Sequence, residues 1–588
     1  MVEANQDRAE KTAPSSRPVR SLPKMRRGVR LLAIVVLLPL SLPIMIGKYR
    51  ARGYPISSIL LKSRKHGAGP LPNARIPGRS ISGETFARLE SYLWSSKAED
   101  ALAILERIRA RPDLSGVDYA KACRAIAVGL EAQGMYAEAV AELETIPVDT
   151  IGNSEVKSVA LMKSQLHLKM GNRDEARKQT QVADVDFTCS NSRLVMSNCE
   201  TEGAGKLDRI SPIFVNRDIS PIALVSPDDH PTFSGLAGAA KPRQSSGHGK
   251  VSVIFPIFNA LDTINGAIKS ILDQTYADVE VILVDDGSTD GTQERLAELA
   301  DTDSRIVVLN VACNGGAYKA RNFGARHASG EFVTVHDADD WSHPEKIERH
   351  LRAFDQNPGL MATGSHWVRA SESLEFTSWS LGPNLVRPSY PSFMVRSRVL
   401  SELGFWDPLR FSADSEFIYR VTNAYGKNRV AWIDRDVPLA FSLVMDTSLT
   451  NRKATHVGST RHGLRRYYHE IFKYQWRTGS AMQPSAQEDR LRLVPPEMVG
   501  RSASLNQYDL SLVGDCRSPA VVDRMLEVRR TVNGLVAVTH MPEIRENLGH
   551  PNRFCDAFFQ LIDDPNVIIA HDPDEIVASH RAHLLSGA

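Results

Sequence analysis

The fold class is indicated by three segments: VSVIFPIFN at 251–259, VEVILVDDGSTDGT at 279–292 and RIVVLNV at 305–311. Each contains a short run of β-branched and other apolar residues, which is typical of a strand buried on both faces. LDTINGAIKSILDQTY at 261–276 and QERLAELA at 293–300 lie between them and have apolar residues at helical spacing. The alternation of strand and helix predicts a parallel sheet with helical crossovers.

Acidic residues follow two of the predicted strands. Asp285 and Asp286 end the second strand, and Asp337 and Asp339 end a further strand in GEFVTVHDADDW at 330–341. Ligands of parallel sheets bind at the carboxyl ends of the strands. Two carboxylates two residues apart there suit Mg²⁺, which takes one or two carboxylates together with waters and phosphate oxygens. A solvated turn or a helix cap is the alternative reading of such a pair.

A second acidic pair lies downstream, in FSADSEFIYRV at 411–421. Asp414 and Glu416 precede an apolar helical run in this segment. Either carboxylate could act as a general base if it lay beside a hydroxyl nucleophile.

The order of these motifs resembles that of the family-2 glycosyltransferases, which have the nucleotide-sugar-binding GT-A fold. The segments that carry the resemblance are VSVIFPIFNA, SILDQTY, VEVILVDDGSTDGT, NGGAYKARNFGARHASGEF and HDADDWSHPEKI. The resemblance implies an α/β fold, a GT-A catalytic domain with a Rossmann-like mixed sheet, over 250–450.

The resemblance also implies site residues. The residues that would line the nucleotide-sugar pocket are Pro256, Phe258, Asn259, Asp285, Asp286, Asn314, Gly315, Gly316 and Asp337. Asp339 would be the main ligand of a divalent cation, Mg²⁺ or Mn²⁺, and Asp337 would contribute to the metal site or lie nearer the ribose. Asp414 aligns best with the catalytic base of the family, and Glu416 is its alternative. Arg321 would either brace its helix or touch the ligand.

The N-terminal region has a different character. Residues 1–30 are polar and basic and predict a disordered tail, and 48–83 have the composition of a linker. Between them, an uncharged apolar run predicts a membrane anchor over 31–47, either single-pass or re-entrant. Its basic flank favours a body across the membrane, whereas the absence of N-x-S/T sequons favours a cytoplasmic body. We expect a membrane protein with its catalytic body in the cytoplasm.

Residues 84–184 predict a helical domain with tetratricopeptide-like repeats. Ala101, Ala139 and Ala176 occupy similar places in three amphipathic stretches, at spacings of 38 and 37 residues. An unrelated helical bundle is the alternative. Either arrangement would serve as a spacer or bind a protein partner. Residues 185–249 predict an irregular linker.

Two further segments follow the catalytic block. Residues 451–500 predict a helical extension, which either packs on the catalytic domain or contacts the acceptor or a membrane surface. Residues 505–588 repeat the strand and helix pattern and resemble a partial Rossmann-like, GT-B-like module.

Composition excludes other classes. The 588 residues contain 71 Lys and Arg against 69 Asp and Glu, so no basic excess indicates a nucleic-acid partner. Six scattered cysteines favour neither a disulfide framework nor a structural zinc site.

These observations predict a membrane-anchored, metal-dependent inverting glycosyltransferase. It would move a hexose from a nucleotide-diphosphate sugar to a hydroxyl of a glycan, lipid-linked or protein acceptor, in the biosynthesis of surface polysaccharide or another glycan. The alternative is a catalytically inactive GT-A scaffold that recruits partners through its helical repeats.

Overall fold

The structure is a computed structural model. It describes residues 81, 83–93, 98–184, 188–201, 203–225, 231–238, 249–445, 463–479, 491–500, 508–541, 553–570 and 582–585. The predicted tail, the predicted anchor and nearly all of the linker at 48–83 lie outside these residues.

The predicted membrane localisation is wrong. Within the described ranges, no helix combines the length and the apolar character needed to cross a membrane. The segment 31–47, on which that prediction rested, is not part of those ranges.

A chain of helices precedes the central sheet. Its members are α1 Gly83–Tyr92, α2 Ala98–Arg109, α3 Gly116–Glu131, α4 Tyr136–Glu144, α5 Asn153–Lys169, α6 Arg173–Ala183, α7 Ser190–Cys199 and α8 Gly203–Val215. Each helix packs against the next one along the chain. The three repeating alanines, Ala101, Ala139 and Ala176, are completely buried, because small residues let neighbouring helices approach closely. The tetratricopeptide assignment itself stays a prediction.

The irregular linker predicted for 185–249 differs from the structure. Its first part forms α7 and α8, and these are followed by an antiparallel pair of short strands, β1 Ile222–Leu224 and β2 Leu236–Gly238. Leu194 of α7 and Phe214 of α8 belong to one core with Val368 and Phe441 of the central sheet. The apolar faces of these helices are covered by the sheet, so their burial depends on contacts far along the chain.

The central domain is a mixed sheet with helices on both faces, so the α/β class predicted for this block is confirmed. Its strands are β3 Val251–Ile257, β4 Val279–Asp285, β5 Ile306–Asn310, β6 Phe332–Val335, β7 Asp340–Ser342, β8 Ala362–Ala370, β9 Phe376–Thr377, β10 Arg387–Arg396, β11 Val430–Trp432 and β12 Pro438–Leu443. Its helices are α9 Ile264–Leu272, α10 Thr292–Thr302, α11 Ala317–His327, α12 Lys346–Gln356, α13 Ser397–Leu403 and α14 Ala413–Tyr425.

Strand order explains why the acidic motifs converge. The order is β5-β4-β3-β6-β10-β8-β12-β7, with β9 and β11 also paired to β8. Strands β3 to β6 are parallel, so their carboxyl ends meet at one edge. Along β3, Val253 and Phe255 pack with α9 and α12, whereas Ile254 packs with α11 and α14 on the opposite face. This alternation fixes which face each crossover helix covers.

A small parallel sheet lies near the C-terminus. It contains β13 Leu510–Gly514, β14 Val536–His540, β15 Val567–Ile569 and β16 Ala582–Leu585 in the order β15-β14-β13-β16, with α16 Pro519–Arg529 and α17 Asp556–Ile562. Helix α15, Leu464–Thr478, joins it to the central domain, because Tyr467 lies in the core of the small sheet and Tyr468 in the core of the large one. Within the described part of 451–500, helix α15 thus packs against the central domain, and contact with an acceptor or a membrane surface stays a prediction.

Candidate functional site

The first part of the site is a rim of loops at the carboxyl ends of β3 and β4. Asp286 is buried, and its two carboxylate oxygens accept hydrogen bonds from the backbone N–H groups of Gly315, at 2.9 Å, and Gly316, at 2.7 Å. Asp285, also buried, accepts from the N–H of Ser288 at 3.3 Å. The predicted nucleotide residue Asp286 therefore shapes the glycine loop through its own side chain.

Asn259 connects this rim to the end of β3. Its backbone has a φ of 48°, in the left-handed region that asparagine tolerates. Its N–H donates to the hydroxyl of Ser288 at 2.9 Å, and its side-chain oxygen accepts from the N–H of Thr289 at 2.8 Å. The neighbouring Phe258 is 46% exposed. The loop segments predicted to line a nucleotide pocket are thus joined to one another by hydrogen bonds.

Glycine is required at one point of this rim. Gly287 has a φ of 77°, and a Cβ there would lie 3.2 Å from the Cα of Cys313. This close approach keeps the loop after β4 against the segment that leads to Asn314, Gly315 and Gly316.

The second part of the site is built around Arg321 of α11. One guanidinium nitrogen donates to Asp414 at 2.5 Å and another donates to Asp337 at 2.7 Å. The hydroxyl of Tyr318 donates to the other oxygen of Asp414 at 2.6 Å. Asp414, the candidate base, and Asp337, the first acid of the D-x-D segment Asp337–Ala338–Asp339, are far apart in sequence. They nevertheless share one buried arginine.

Burial and charge act in opposite directions on Arg321. Burial lowers the pKa of this guanidinium, but the carboxylates of Asp414 and Asp337 outweigh that effect and raise the pKa. Burial, followed by the charge of Asp414, raises the pKa of Tyr318 and keeps its phenol protonated as a donor. The side chain of Arg321 is 4% exposed, whereas those of Asp414 and Asp337 are 17% and 30% exposed. A ligand can thus reach both carboxylates but not the arginine that holds them.

Tyr318 was missed by the sequence analysis. It precedes Arg321 by three residues on α11, so the two side chains lie on the same face of that helix. The AYKAR spacing within the glycine-loop motif was the signal that could have identified it.

The remaining acids of the D-x-D segment concentrate negative charge. Burial, together with the nearby carboxylate of Asp337, raises the pKa of Asp339 to about 7. Asp340 is buried, and one of its carboxylate oxygens has no hydrogen-bond partner in the described part of the chain. Burial and the charges of Asp339 and Asp337 raise the pKa of Asp340 well above its usual value.

These residues fit a divalent cation. Neighbouring carboxylates raise each other's pKa when no cation neutralises their charge. An unpartnered buried carboxylate oxygen likewise indicates that a neutralising partner is missing. Within the described ranges, no group of three or more His, Cys, Asp or Glu side chains is arranged to hold a metal ion. Asp339 and Asp337 would supply one or two carboxylates to a divalent cation, and Mg²⁺ commonly takes its other ligands from waters and phosphate oxygens.

Glu416, the alternative base, does not belong to the open site. Its side chain is completely buried, and both of its oxygens accept hydrogen bonds from Arg420, at 2.7 to 3.2 Å. Arg420 also donates to the backbone carbonyls of Leu403 and Phe405. An acceptor hydroxyl cannot approach a carboxylate enclosed in this way, so the structure leaves Asp414 as the accessible member of the pair.

Residues 252–403 match the family model described as "Glycosyl transferase family 2". This part of the chain is therefore similar in sequence to family 2 glycosyltransferase domains.

Individual relatives are similar to part of the chain. A "Putative teichuronic acid biosynthesis glycosyltransferase TuaG" of Bacillus subtilis is 43% identical over 101 residues, which cover 17% of this chain and 40% of the relative. "Glycosyltransferase GlyG" of Streptococcus pneumoniae is 35% identical over 117 residues, covering 20% of this chain and 39% of the relative. An "Uncharacterized glycosyltransferase" of Haemophilus influenzae is 37% identical, covering 20% of this chain and 46% of the relative. The chain spans less than half the length of these curated relatives.

Solved structures are more distant. The crystal structure of S. aureus TarS 1-349 in complex with UDP-GlcNAc is 18% identical, covers 41% of this chain and 70% of that chain, and has a TM-score of 0.31. Mannosyltransferase PcManGT from Pyrobaculum calidifontis, in complex with GDP-Man and Mn²⁺, is 18% identical, covers 45% and 76% of the two chains, and has a TM-score of 0.29.

Proposed function

We propose that this protein is an inverting glycosyltransferase, which moves a sugar from a nucleotide-diphosphate sugar to an acceptor hydroxyl. The observation that carries the proposal is a pair of hydrogen bonds by which Arg321 connects Asp414 to Asp337. It joins a partly exposed candidate base to the acidic pair that would bind the diphosphate side of the donor. The match of residues 252–403 to the family 2 model supports the same reaction class.

Asp414 is the proposed catalytic base. Each of its oxygens accepts one hydrogen bond, from Arg321 and from Tyr318, and each retains a lone pair. A retained lone pair takes the proton of the acceptor hydroxyl as the acceptor oxygen bonds to the anomeric carbon. The bond from that carbon to the phosphate oxygen breaks at the same time, and its electron pair leaves with the nucleoside diphosphate. A single displacement of this kind inverts the anomeric centre.

Arg321 and Tyr318 are positioning residues in this proposal. Both are buried, and they fix the two oxygens of Asp414 by charge-assisted hydrogen bonds, which are stronger and more directional than neutral ones. The arginine also holds Asp337 at a fixed distance from the base. Orientation of this kind reduces the entropy lost on reaching the transition state.

A divalent cation held by Asp339, with Asp337, would stabilise the charge that develops on the departing diphosphate. The rim formed by Asn259, Asp285 and Asp286 would receive the nucleotide. There the side chain of Asp286 acts indirectly, by holding the backbone of Gly315 and Gly316.

Surface polysaccharide or a related glycan is the proposed context. It is supported by the similarity to a relative whose name assigns it to teichuronic acid biosynthesis.

A panel of nucleotide sugars tests the proposal. The full chain is mixed with UDP-, GDP-, ADP- and dTDP-sugars, with Mn²⁺ or with chelator, and thermal shift and nucleotide release are measured. We expect cation-dependent stabilisation by one donor, with slow hydrolysis. A folded protein that neither binds nor hydrolyses any donor would contradict the proposal.

Asp414→Asn provides the sharper variant, because it should abolish transfer and leave donor binding intact. Asp434→Asn is the matched control, since Asp434 likewise accepts two hydrogen bonds, in its case both from Arg349, and its side chain is similarly enclosed. Normal turnover in Asp414→Asn would remove Asp414 from its role.

A further inference from the structure

A row of paired residues connects the D-x-D segment to a distant loop. Asp340 of β7 pairs with Ser442 of β12, Ser442 pairs with Arg369 of β8, and Arg369 pairs with Thr377 of β9. Paired strands lie about 4.8 Å apart, so Arg369 is about 10 Å from Asp340 along the sheet. Thr377, one strand further along this row, is about 14 Å from Asp340, so the segment that follows it begins on the same row of the sheet as the proposed donor site.

Two tryptophans meet at this place. The rings of Trp367, on β8, and Trp379, which follows β9, lie 5.9 Å apart and are inclined at 56°. The guanidinium of Arg369 lies 5.2 Å from the centre of the Trp379 ring. Both tryptophans are partly exposed, so they border the surface next to Arg369.

Several hydrogen-bond donors here have no acceptor. In the part of the chain that the structure describes, the indole N–H groups of Trp367 and Trp379 and the hydroxyl of Ser378 have no partner. An unsatisfied buried donor costs about 1–3 kcal/mol. Two of these donors follow β9 and the third is on the neighbouring strand β8, and such a group of donors indicates a place where a ligand rich in oxygen atoms completes the hydrogen bonding.

Two asparagine side chains of helix α7 hold the loop that carries Trp379. The side chain of Asn198, on α7, donates to the carbonyl of Phe376 at 2.7 Å and accepts from its N–H at 2.8 Å. Asn191 accepts from the N–H groups of Leu385 and Val386, at 2.7 and 3.0 Å. Both asparagines are buried, so the loop between these anchors is fixed before any ligand arrives.

We infer that Trp367, Arg369 and Trp379 form a carbohydrate subsite that binds the sugar of the acceptor. A pyranose has an apolar C–H face, which an indole ring covers, and a rim of hydroxyl oxygens, which accept from indole N–H groups. An acyl chain would leave the three unpartnered donors unsatisfied, so the site favours a glycan over the bare lipid part of an acceptor. The assignment to the acceptor rests on the proposed glycosyltransferase function, whereas carbohydrate binding does not.

Ligand-observed saturation-transfer NMR tests this inference with defined probes. The probes are the methyl α- and β-glycosides of glucose, galactose, mannose and N-acetylglucosamine, added to the full chain. We expect saturation of ring protons for at least one glycoside, complete loss in Trp379→Ala and partial retention in Trp379→Phe. Tyr474→Ala is the matched control, because Tyr474 is a partly buried aromatic residue stacked on Phe559, outside the site.

Three results would overturn the inference. They are no saturation for any glycoside, equal saturation in Trp379→Ala and wild type, and saturation that transfers only to a peptide probe such as Ser-Gly-Ser-Gly. Donor binding is measured in parallel by thermal shift with nucleotide sugars. Glycoside binding without donor binding would refute the proposed function alone. Loss of donor binding in Trp379→Ala would contradict the acceptor assignment.

Discussion

Asp414 accepts a hydrogen bond of 2.5 Å from Arg321, a residue 93 positions earlier in the chain. The same guanidinium donates to Asp337 at 2.7 Å. This arrangement places the proposed base at a fixed position relative to the proposed donor site.

Replacing Arg321 by lysine tests this relationship. Lysine keeps the charge but cannot donate to both carboxylates in the fixed geometry of a guanidinium. We expect turnover to fall roughly 10- to 100-fold, because misplacing a reacting group by about 1 Å has an effect of this size. Turnover and donor affinity are measured in Arg321→Lys and in the control Arg349→Lys, which alters the pair with Asp434. Equal turnover in the two variants would contradict the positioning role.

Glu416→Ala should separate stability from catalysis. Removing one partner of a buried ion pair costs about 3–5 kcal/mol, because Arg420 is left without its counter-charge. We expect a large loss in urea-unfolding free energy, with near-normal turnover per folded molecule. A variant that is stable yet inactive would instead return Glu416 to the candidate bases.

Asp339→Asn should remove the response to a divalent cation. The substitution takes away the charge that the cation neutralises, so donor binding should no longer increase when Mn²⁺ is added. Thermal shift with donor, with and without Mn²⁺, measures the change. Asp303→Asn is the control. Asp303 pairs with Arg305 just before β5 begins, at the amino end of that strand, whereas the proposed site lies at the carboxyl ends of the strands. An unchanged Mn²⁺ response in Asp339→Asn would exclude this residue as a ligand.

Stability should fall as the pH is lowered from about 6.5 to about 4. Burial lowers the pKa of His343 to about 4, and its ring contacts the carbonyl of Ser220 at 2.9 Å. The ordinary pKa of histidine, about 6.5, applies in the unfolded chain. Between this pH and about 4, His343 binds a proton in the unfolded chain but not in the folded one, so acid favours unfolding. For His343 the full effect is on the order of 3 kcal/mol.

Urea unfolding at pH 7.5 and pH 5 measures this dependence in the wild type and in His343→Gln. The variant should show a smaller loss between the two pH values, because its side chain does not titrate. The exposed Asn216, which does not titrate, offers a control in Asn216→Gln, whose pH dependence should match the wild type. An identical slope in His343→Gln would exclude His343 as a source of the acid sensitivity.

Asn198→Ala should weaken glycoside binding without affecting the donor. The change leaves the N–H and the carbonyl of Phe376 without their partner and releases the loop that carries Trp379. The expected stability cost is about 2 kcal/mol. Glycoside saturation and donor thermal shift are compared with those of Asn216→Ala, which changes an exposed asparagine just after α8. A parallel loss of donor and glycoside binding would indicate general unfolding instead of loop positioning.

Local sequence patterns were enough to predict the sheet and its acidic loops. The runs at 251–259 and 279–292 form β3 and β4, because a short, continuously apolar segment can be buried on both faces only within a sheet. The positions of Asp285 and Asp337 at strand ends follow from the same local pattern. Where Ala101, Ala139 and Ala176 repeat, small residues let the helices pack closely, and this too could be read locally.

Tertiary structure decided which acids are accessible and which are enclosed. Asp414 and Glu416 lie two residues apart on one helix, yet one turns towards Arg321 and the other towards Arg420. Helices α7 and α8 were missed because their apolar faces are completed by strands more than a hundred residues away. Contacts of this range depend on strand pairing and on the rotation of each helix against the sheet, and no local pattern of residues specifies either of them.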